Sequence, residues 1–248
     1  MDNILLDFSY IAAVVIEIGL PLFLAIYMWK KYRVSWAIFF LGMLLFLISL
    51  IRLPLNNIIS SFILKYFVGD LAIALIYLSA SFTAGLFEEG VRVLAFGAII
   101  RKRNFKKGIM YGIGHGGGGE SMIFVGFLVL INFIAYRFFP EIIPSYFAGE
   151  IYDINWYIPL IGAMERIFAI VIQISLSVMV VSAFIRRKYY LITAAVFYHM
   201  LVDFISVYAG YMYGIMVSET LVFIFAVISA FIIYILRPCK LNDGRLSN

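Results

Sequence analysis

The hydrophobic positions of this chain fall in long continuous runs, separated by short polar stretches that are rich in lysine and arginine. Alternation at period two is absent, which argues against a β-barrel, whose strands alternate lipid-facing and lumen-facing residues. Continuous apolar runs of about 20 residues are the signature of membrane-spanning helices. Seven can be drawn: Tyr10–Trp29, Ser35–Ile51, Asp70–Ile100, Ile109–Phe138, Trp156–Ile185, Tyr189–Tyr213 and Ile215–Leu236. The third, fourth and fifth exceed an upright crossing. A helix of 31 residues (Asp70–Ile100) would be about 46 Å long against a hydrocarbon core of about 30 Å. Such segments must tilt, break or project. Leu55–Phe67, with Asn56, Asn57, Ser60, Ser61 and Lys65, is too polar to span and reads as a short interfacial helix on the outer side.

Composition agrees. Of 248 residues, 65% are hydrophobic and 13% charged, and the mean hydropathy is +1.04. The expected fold is therefore all-α, a polytopic transmembrane bundle of about seven spans forming a single integral membrane domain over residues 1–248. The net charge of +5 does not point to nucleic acid, because of where the charges lie. Lys30, Lys31 and Arg33 follow the first span. Arg101, Lys102, Arg103, Lys106 and Lys107 follow the third, Arg186, Arg187 and Lys188 the fifth, and Arg237, Lys240 and Arg245 the seventh. These are 14 of the 19 basic residues, and seven crossings put all of them on one side. Asp2, Asp7, Glu141, Glu150, Asp153 and Glu219 fall on the other. The positive-inside rule then predicts a cell-membrane protein with its N-terminus outside and its C-terminus in the cytoplasm. The single cysteine, Cys239, excludes an intramolecular disulfide. No basic stretch precedes the first apolar run, so a cleaved signal peptide is not expected.

Charges inside the spans carry the functional information, since an ionisable group in hydrocarbon costs several kcal/mol (about 2.5–3.5 on insertion scales) unless paired or hydrated. Glu88, Glu89 and Arg92 lie within the third span, and both histidines of the chain, His115 and His199, lie within the fourth and sixth. Counting inward at 1.5 Å per residue puts Glu88 about 18 Å from Ile100, His199 about 16 Å from Lys188 and His115 about 12 Å from Lys107, so one layer can hold all three. Glu88–Arg92 is an i,i+4 pair and Glu89–Arg92 an i,i+3 pair, so both carboxylates reach the guanidinium. A glutamate beside a second carboxylate in a poorly solvated place suits general-base activation of water. An ion pair that only specifies helix packing is the alternative. His199 and Asp203, also i,i+4, share one helix face, where a carboxylate can orient an imidazole. Gly112–Gly119 holds six glycines in eight residues, followed by Glu120. It predicts a break in the fourth span, because glycine is a poor helix former and irregular backbone at membrane depth must be buried or line a wet cavity. Close helix packing accounts for one or two of these glycines, not four in a row. The stretch satisfies G-x-G-x-x-G, but no strand precedes it and no nucleotide site is implied. Glu165 and Arg166 read as structural and nearer the outer side; Gln173 counts to the depth of Glu88; Glu17 is intramembrane and unassigned.

Taken in order, Glu88-Glu89-x-x-Arg92, Tyr111-x-x-x-His115 and His199-x-x-x-Asp203 resemble the three motifs of the CAAX-protease and bacteriocin-processing (CPBP, or ABI) superfamily of glutamic intramembrane proteases. With Gly114-His115-Gly116-Gly117, Glu120, Glu165-Arg166 and the final His-x-x-x-Asp, the chain is closer to the bacterial YhfC family of membrane peptidases. The resemblance runs from about Leu53 to Asp203. It implies that Glu88 activates water with Glu89 and Arg92 in support, that His115 shares that water, and that His199 and Asp203 bind the carbonyl oxygen or orient the attack. Glu120, Glu165, Arg166 and Gln173 would be supporting residues. The chain departs from the superfamily pattern in four places. Two residues, not three, separate Glu89 from Arg92. Tyr111 stands for Phe, and Asp203 stands where Asn is frequent. Gln173 lies where a nearby histidine is expected in the YhfC pattern. The implied function is an intramembrane endopeptidase acting on a membrane-associated peptide or protein. Two other readings stay open: a non-hydrolytic membrane protein, either a proton-coupled transporter or a partner-binding scaffold, and a zinc-dependent peptidase using His115, His199 and Glu88. No His-Glu-x-x-His pattern supports the last, and no cofactor is favoured.

Overall fold

A computed structural model describes residues 2–142 and 154–238. Glu150, Asp153, Cys239, Lys240 and Arg245 of the charge and cysteine readings lie outside the described residues. All the regular structure described is helical, and seven helices are long and apolar enough to cross a membrane. They run Ile4–Tyr32, Trp36–Tyr66, Gly69–Ile99, Phe105–Phe138, Ile158–Arg186, Tyr190–Tyr213 and Ile215–Leu236. The predicted spans are recovered, with most boundaries moved by a few residues. The protein is a multi-pass membrane protein.

The first span is α1 (Asp2–Val14) and α2 (Leu20–Tyr32) joined by a π-helical turn, Val15–Gly19, just ahead of Pro21. The second is α3 (Trp36–Ser49), capped by the Ser35 hydroxyl, running on into α4 (Arg52–Tyr66). The segment expected as a separate interfacial helix is therefore continuous with the second span across a kink at Leu50–Ile51. Pro54 explains the kink. It has no N–H to give the Leu50 carbonyl, and the chain is wound there by i→i−3 bonds, Ile51 N–H to Ile48 and Leu53 N–H to Leu50. The third span is α5 (Gly69–Leu94), ending in a π turn over Ala95–Ile99.

The fourth span corrects the expected glycine break. Between α6 (Phe105–Gly112) and α7 (Phe127–Phe138) the chain stays helical, as 14 residues of π-helix, Ile113–Gly126. Close packing, moreover, accounts for all four consecutive glycines. A methyl group on Gly116, Gly117, Gly118 or Gly119 would stand 2.4, 2.8, 2.9 or 2.6 Å from atoms of Gln173, Pro21, Phe39 and Phe46 respectively. Three different helices press on this segment, and only a residue without Cβ leaves room for them. The wider π winding, which is common at functional sites, lets the segment keep its hydrogen bonds while carrying so many poor helix formers.

The remaining helices are α8 (Ile158–Arg186), α9 (Tyr190–Tyr213) and α10 (Ile215–Leu236). The buried middle of the bundle is α8: 67% of its apolar window is covered by protein, against at most 33% in any other span. Small and hydroxylated residues, Ser175, Ser177, Ser182 and Ala183, let its neighbours approach. It packs against α6, the glycine-rich π segment, α9 and α10. The lipid-facing sides of the other helices carry the exposed Leu, Ile and Phe residues expected in hydrocarbon.

Candidate active site

Five elements converge on one buried polar cluster. On α5, Glu88, Glu89 and Arg92 project inward, each at most 3% exposed. Gly85, one turn earlier, allows the contact with α9: a Cβ there would stand 2.8 Å from the Val196 carbonyl. That approach brings His199 against Glu89. On the second span Gly42 plays the same part against the π segment, where a Cβ would be 2.8 Å from the His115 amide nitrogen.

Glu88 is the hub. Its Oε1 accepts a hydrogen bond from Arg52 Nη2 at 2.8 Å. Its Oε2 lies 3.0 Å from His115 Nε2, 3.4 Å from Gln173 Nε2 and 3.9 Å from His199 Nε2. Glu89 Oε1 pairs with Arg92 Nη1 and accepts His199 Nδ1 at 2.9 Å. Arg92, fully buried, also donates from Nε to Ser177 Oγ at 3.1 Å and from Nη2 to Gln173 Oε1. A buried guanidinium needs this degree of satisfaction, since an unpaired charge in hydrocarbon is unaffordable. His115 is held between rings: parallel to Tyr111 at 5.8 Å and edge-on to Phe46 at 5.3 Å. Asp203 Oδ2 is 3.6 Å from His199 Nε2, and its side chain is 37% exposed.

A second group continues from the first. Gln173 Nε2 donates to Glu120 Oε2 at 2.8 Å, Arg166 Nη1 donates to Glu120 Oε1 at 2.7 Å, and Arg166 Nη2 pairs with Glu165. Glu165 and Arg166, structural on the reading of the residues and supporting on the resemblance, are linked to Glu88 through Glu120 and Gln173. A cavity of about 390 Å³ opens onto this network, lined by Arg52, Glu88, Glu120, Gln173, His199 and Asp203, with Phe46, Leu53 and Phe124 on its apolar side.

Every candidate site residue read from the sequence is in this network, and Glu17 lies beside it, within electrostatic reach of Arg166 and Glu165. That carboxylate is 1% exposed, and its Oε2 has no hydrogen-bond partner among the described residues. Arg52 was missed. One sequence signal could have found it. Five basic residues lie outside the four basic clusters: Arg52, Lys65, Arg92, Arg137 and Arg166. Three of these five donate to site carboxylates.

The donors here are of the kind zinc takes, imidazole nitrogen and carboxylate oxygen, and Glu89 on Nδ1 leaves His199 Nε2 turned toward Glu88. Among the described residues no three His, Cys, Asp or Glu side chains are grouped so as to hold a metal ion. Glu88 and Glu89 are moreover already neutralised by Arg52 and Arg92, whose positive charges oppose a divalent cation between them.

Fold and site define a seven-span helical membrane protein with linked carboxylates, imidazoles and guanidinium groups buried around a cavity. The chain is a member of the YhfC intramembrane metalloprotease family, whose model matches residues 16–226. No curated protein and no solved structure matches it.

Proposed function

We propose that the protein is an intramembrane endopeptidase that hydrolyses a peptide bond of a membrane-associated protein or peptide, using water activated by Glu88. Family membership supports proteolysis within the membrane. The observation that carries the mechanism is the approach of His115 and His199 to a single Glu88 oxygen, at 3.0 and 3.9 Å. A water molecule shared by that oxygen and an imidazole would give its proton to Glu88 while its oxygen attacks the carbonyl carbon. The C–N bond then breaks, and the proton passes from Glu88 to the leaving nitrogen. Glu89 orients His199 through Nδ1, while Arg92 and Gln173 fix Glu89 and Glu88 in place. The resemblance to the CPBP superfamily supports Glu88 as the group that activates water and His115 as the histidine that shares it.

The test is Glu88→Gln in protein purified into nanodiscs and incubated with a panel of synthetic transmembrane peptides, new termini being read by mass spectrometry. The amide keeps the shape and cannot take the proton, so cleavage falls by at least the 10²–10⁴-fold typical of a general base, with the variant still monodisperse. Chelators leave the wild type active. The family's description supports a second reading, with zinc on His115, His199 and Glu88. Activity lost on chelation and restored by zinc would establish it. A Glu88→Gln variant that keeps its cellular function would instead favour the scaffold.

A further inference from the structure

Resting on the peptidase reading, we infer that Arg52 is a catalytic residue whose guanidinium binds the scissile carbonyl oxygen and stabilises the oxyanion formed there. The argument begins with what an oxyanion needs, hydrogen-bond donors held in place before charge develops. Asp203, where the resemblance would put an asparagine, presents a carboxylate, and an ionised carboxylate accepts and repels. Arg92 is fully buried and committed to Ser177, Glu89 and Gln173. Arg166 is committed to Glu120 and Glu165. His199 Nδ1 is committed to Glu89, and its Nε2 stands between two carboxylates, 3.9 Å from Glu88 Oε2 and 3.6 Å from Asp203 Oδ2.

Arg52 differs from all of these. It lines the 390 Å³ cavity, its side chain is 15% exposed, and its Nε is buried with no acceptor among the described residues. A buried, unsatisfied N–H on a cation is an uncommon feature that calls for an explanation. Nη2 already lies 2.8 Å from Glu88 Oε1. A carbonyl attacked by water held at Glu88 therefore comes within reach of the same guanidinium. Glu88 and Arg52 would act as a pair: the first takes the water's proton, and the second donates hydrogen bonds to the carbonyl oxygen as the π electrons move onto it. When the C–N bond breaks, that electron pair returns to reform the carbonyl of the product carboxylic acid, and Arg52 is released. The kink at Pro54 supplies the preorganisation, because it sets Arg52 at the start of α4, beside α5, with its side chain at Glu88.

The experiment uses a peptide cleaved by the wild type and the same peptide with its scissile amide replaced by an anionic phosphinate. In Arg52→Gln, kcat falls by about 10²–10³-fold, as for the loss of an oxyanion donor, with KM changed by less than about threefold. Affinity for the phosphinate falls in proportion to kcat/KM, while affinity for the uncharged substrate peptide, measured in the Glu88→Gln background, is unchanged. If Arg52 only positioned Glu88, kcat would fall and phosphinate affinity would hold, and the inference would be wrong. Full activity in Arg52→Gln would also overturn it. If that variant does not fold, Arg52→Lys, which keeps the charge beside Glu88 and loses the planar fork, carries the same comparison. A wild type that cleaves no peptide of the panel would count against the peptidase reading itself, an outcome distinct from these.

Discussion

At the scale of residues, the site is a problem of satisfying buried polar atoms. Where one is left unsatisfied, a substitution can improve on the natural residue. Tyr111 is wholly buried and stacks on His115, and its hydroxyl has no partner among the described residues. The ring is what positions His115; the hydroxyl only costs desolvation. Tyr111→Phe is expected to leave cleavage intact and to stabilise the protein by about 1 kcal/mol, the low end of the cost of a buried unsatisfied group. Thermal unfolding of the purified variant in detergent checks this, and a lower Tm would show that the hydroxyl is bonded. Gln173 is the opposite case, since its one amide accepts from Arg92 and donates to both Glu88 and Glu120. Gln173→Leu takes the hydrogen-bond partner from Arg92 Nη2 and one donor each from Glu88 and Glu120, and is expected to cost roughly 1–3 kcal/mol, read in the same melt. These particulars were half legible in the chain. Glu88, Glu89, Arg92, His115, His199 and Asp203 stood out because charge is expensive in hydrocarbon. Contacts within one helix, such as Glu89 with Arg92, followed from spacing; which residues of different helices touch could not be read, because each helix can turn about its axis without changing its sequence.

At the scale of elements, the glycine-rich π segment is a close-packed strut. A Cβ on Gly114 would stand 2.1 Å from the Phe39 carbonyl oxygen, with the Phe39 carbonyl carbon and Cα also under 3 Å, so nothing there can rotate aside. Gly114→Ala is expected to separate α3 from the segment at a cost above the usual 1–3 kcal/mol of overpacking, and size-exclusion chromatography should show loss of the monodisperse species. Gly90, two residues before Arg92 on the exposed side of α5, is the control, since a Cβ there meets nothing within 4 Å. Gly90→Ala should stabilise the helix by about 0.5–1 kcal/mol. A run of glycines reads in sequence as a break because local propensity says so. It folds as a helix because three neighbours hold it, and no local rule contains those neighbours.

At the scale of the whole molecule, seven crossings and the asymmetry of basic loops predict an orientation. We expect the cytoplasmic side to carry the loops after the first, third and fifth spans together with the C-terminus. A C-terminal alkaline phosphatase fusion should be inactive and a C-terminal fluorescent protein bright; the reverse pattern would overturn the orientation. The pair Asp7–Arg137, 3.2 Å apart at the other end of the bundle, fits this arrangement, because Arg137 then has a carboxylate partner on the side poor in basic residues.

The sequence by itself determined the class of fold and most of the residues that matter. In hydrocarbon every backbone amide must be satisfied locally, so the apolar runs had to be helices, and every intramembrane charge had to be paired or hydrated. Only the tertiary structure decided the pairing: Glu89, not Asp203, hydrogen-bonded to His199; Gln173 linking Glu88 to Glu120; Arg52 brought to Glu88 by a proline kink. Those contacts depend on the rotation and approach of helices distant in the chain, which the period of a helix leaves free and packing alone selects.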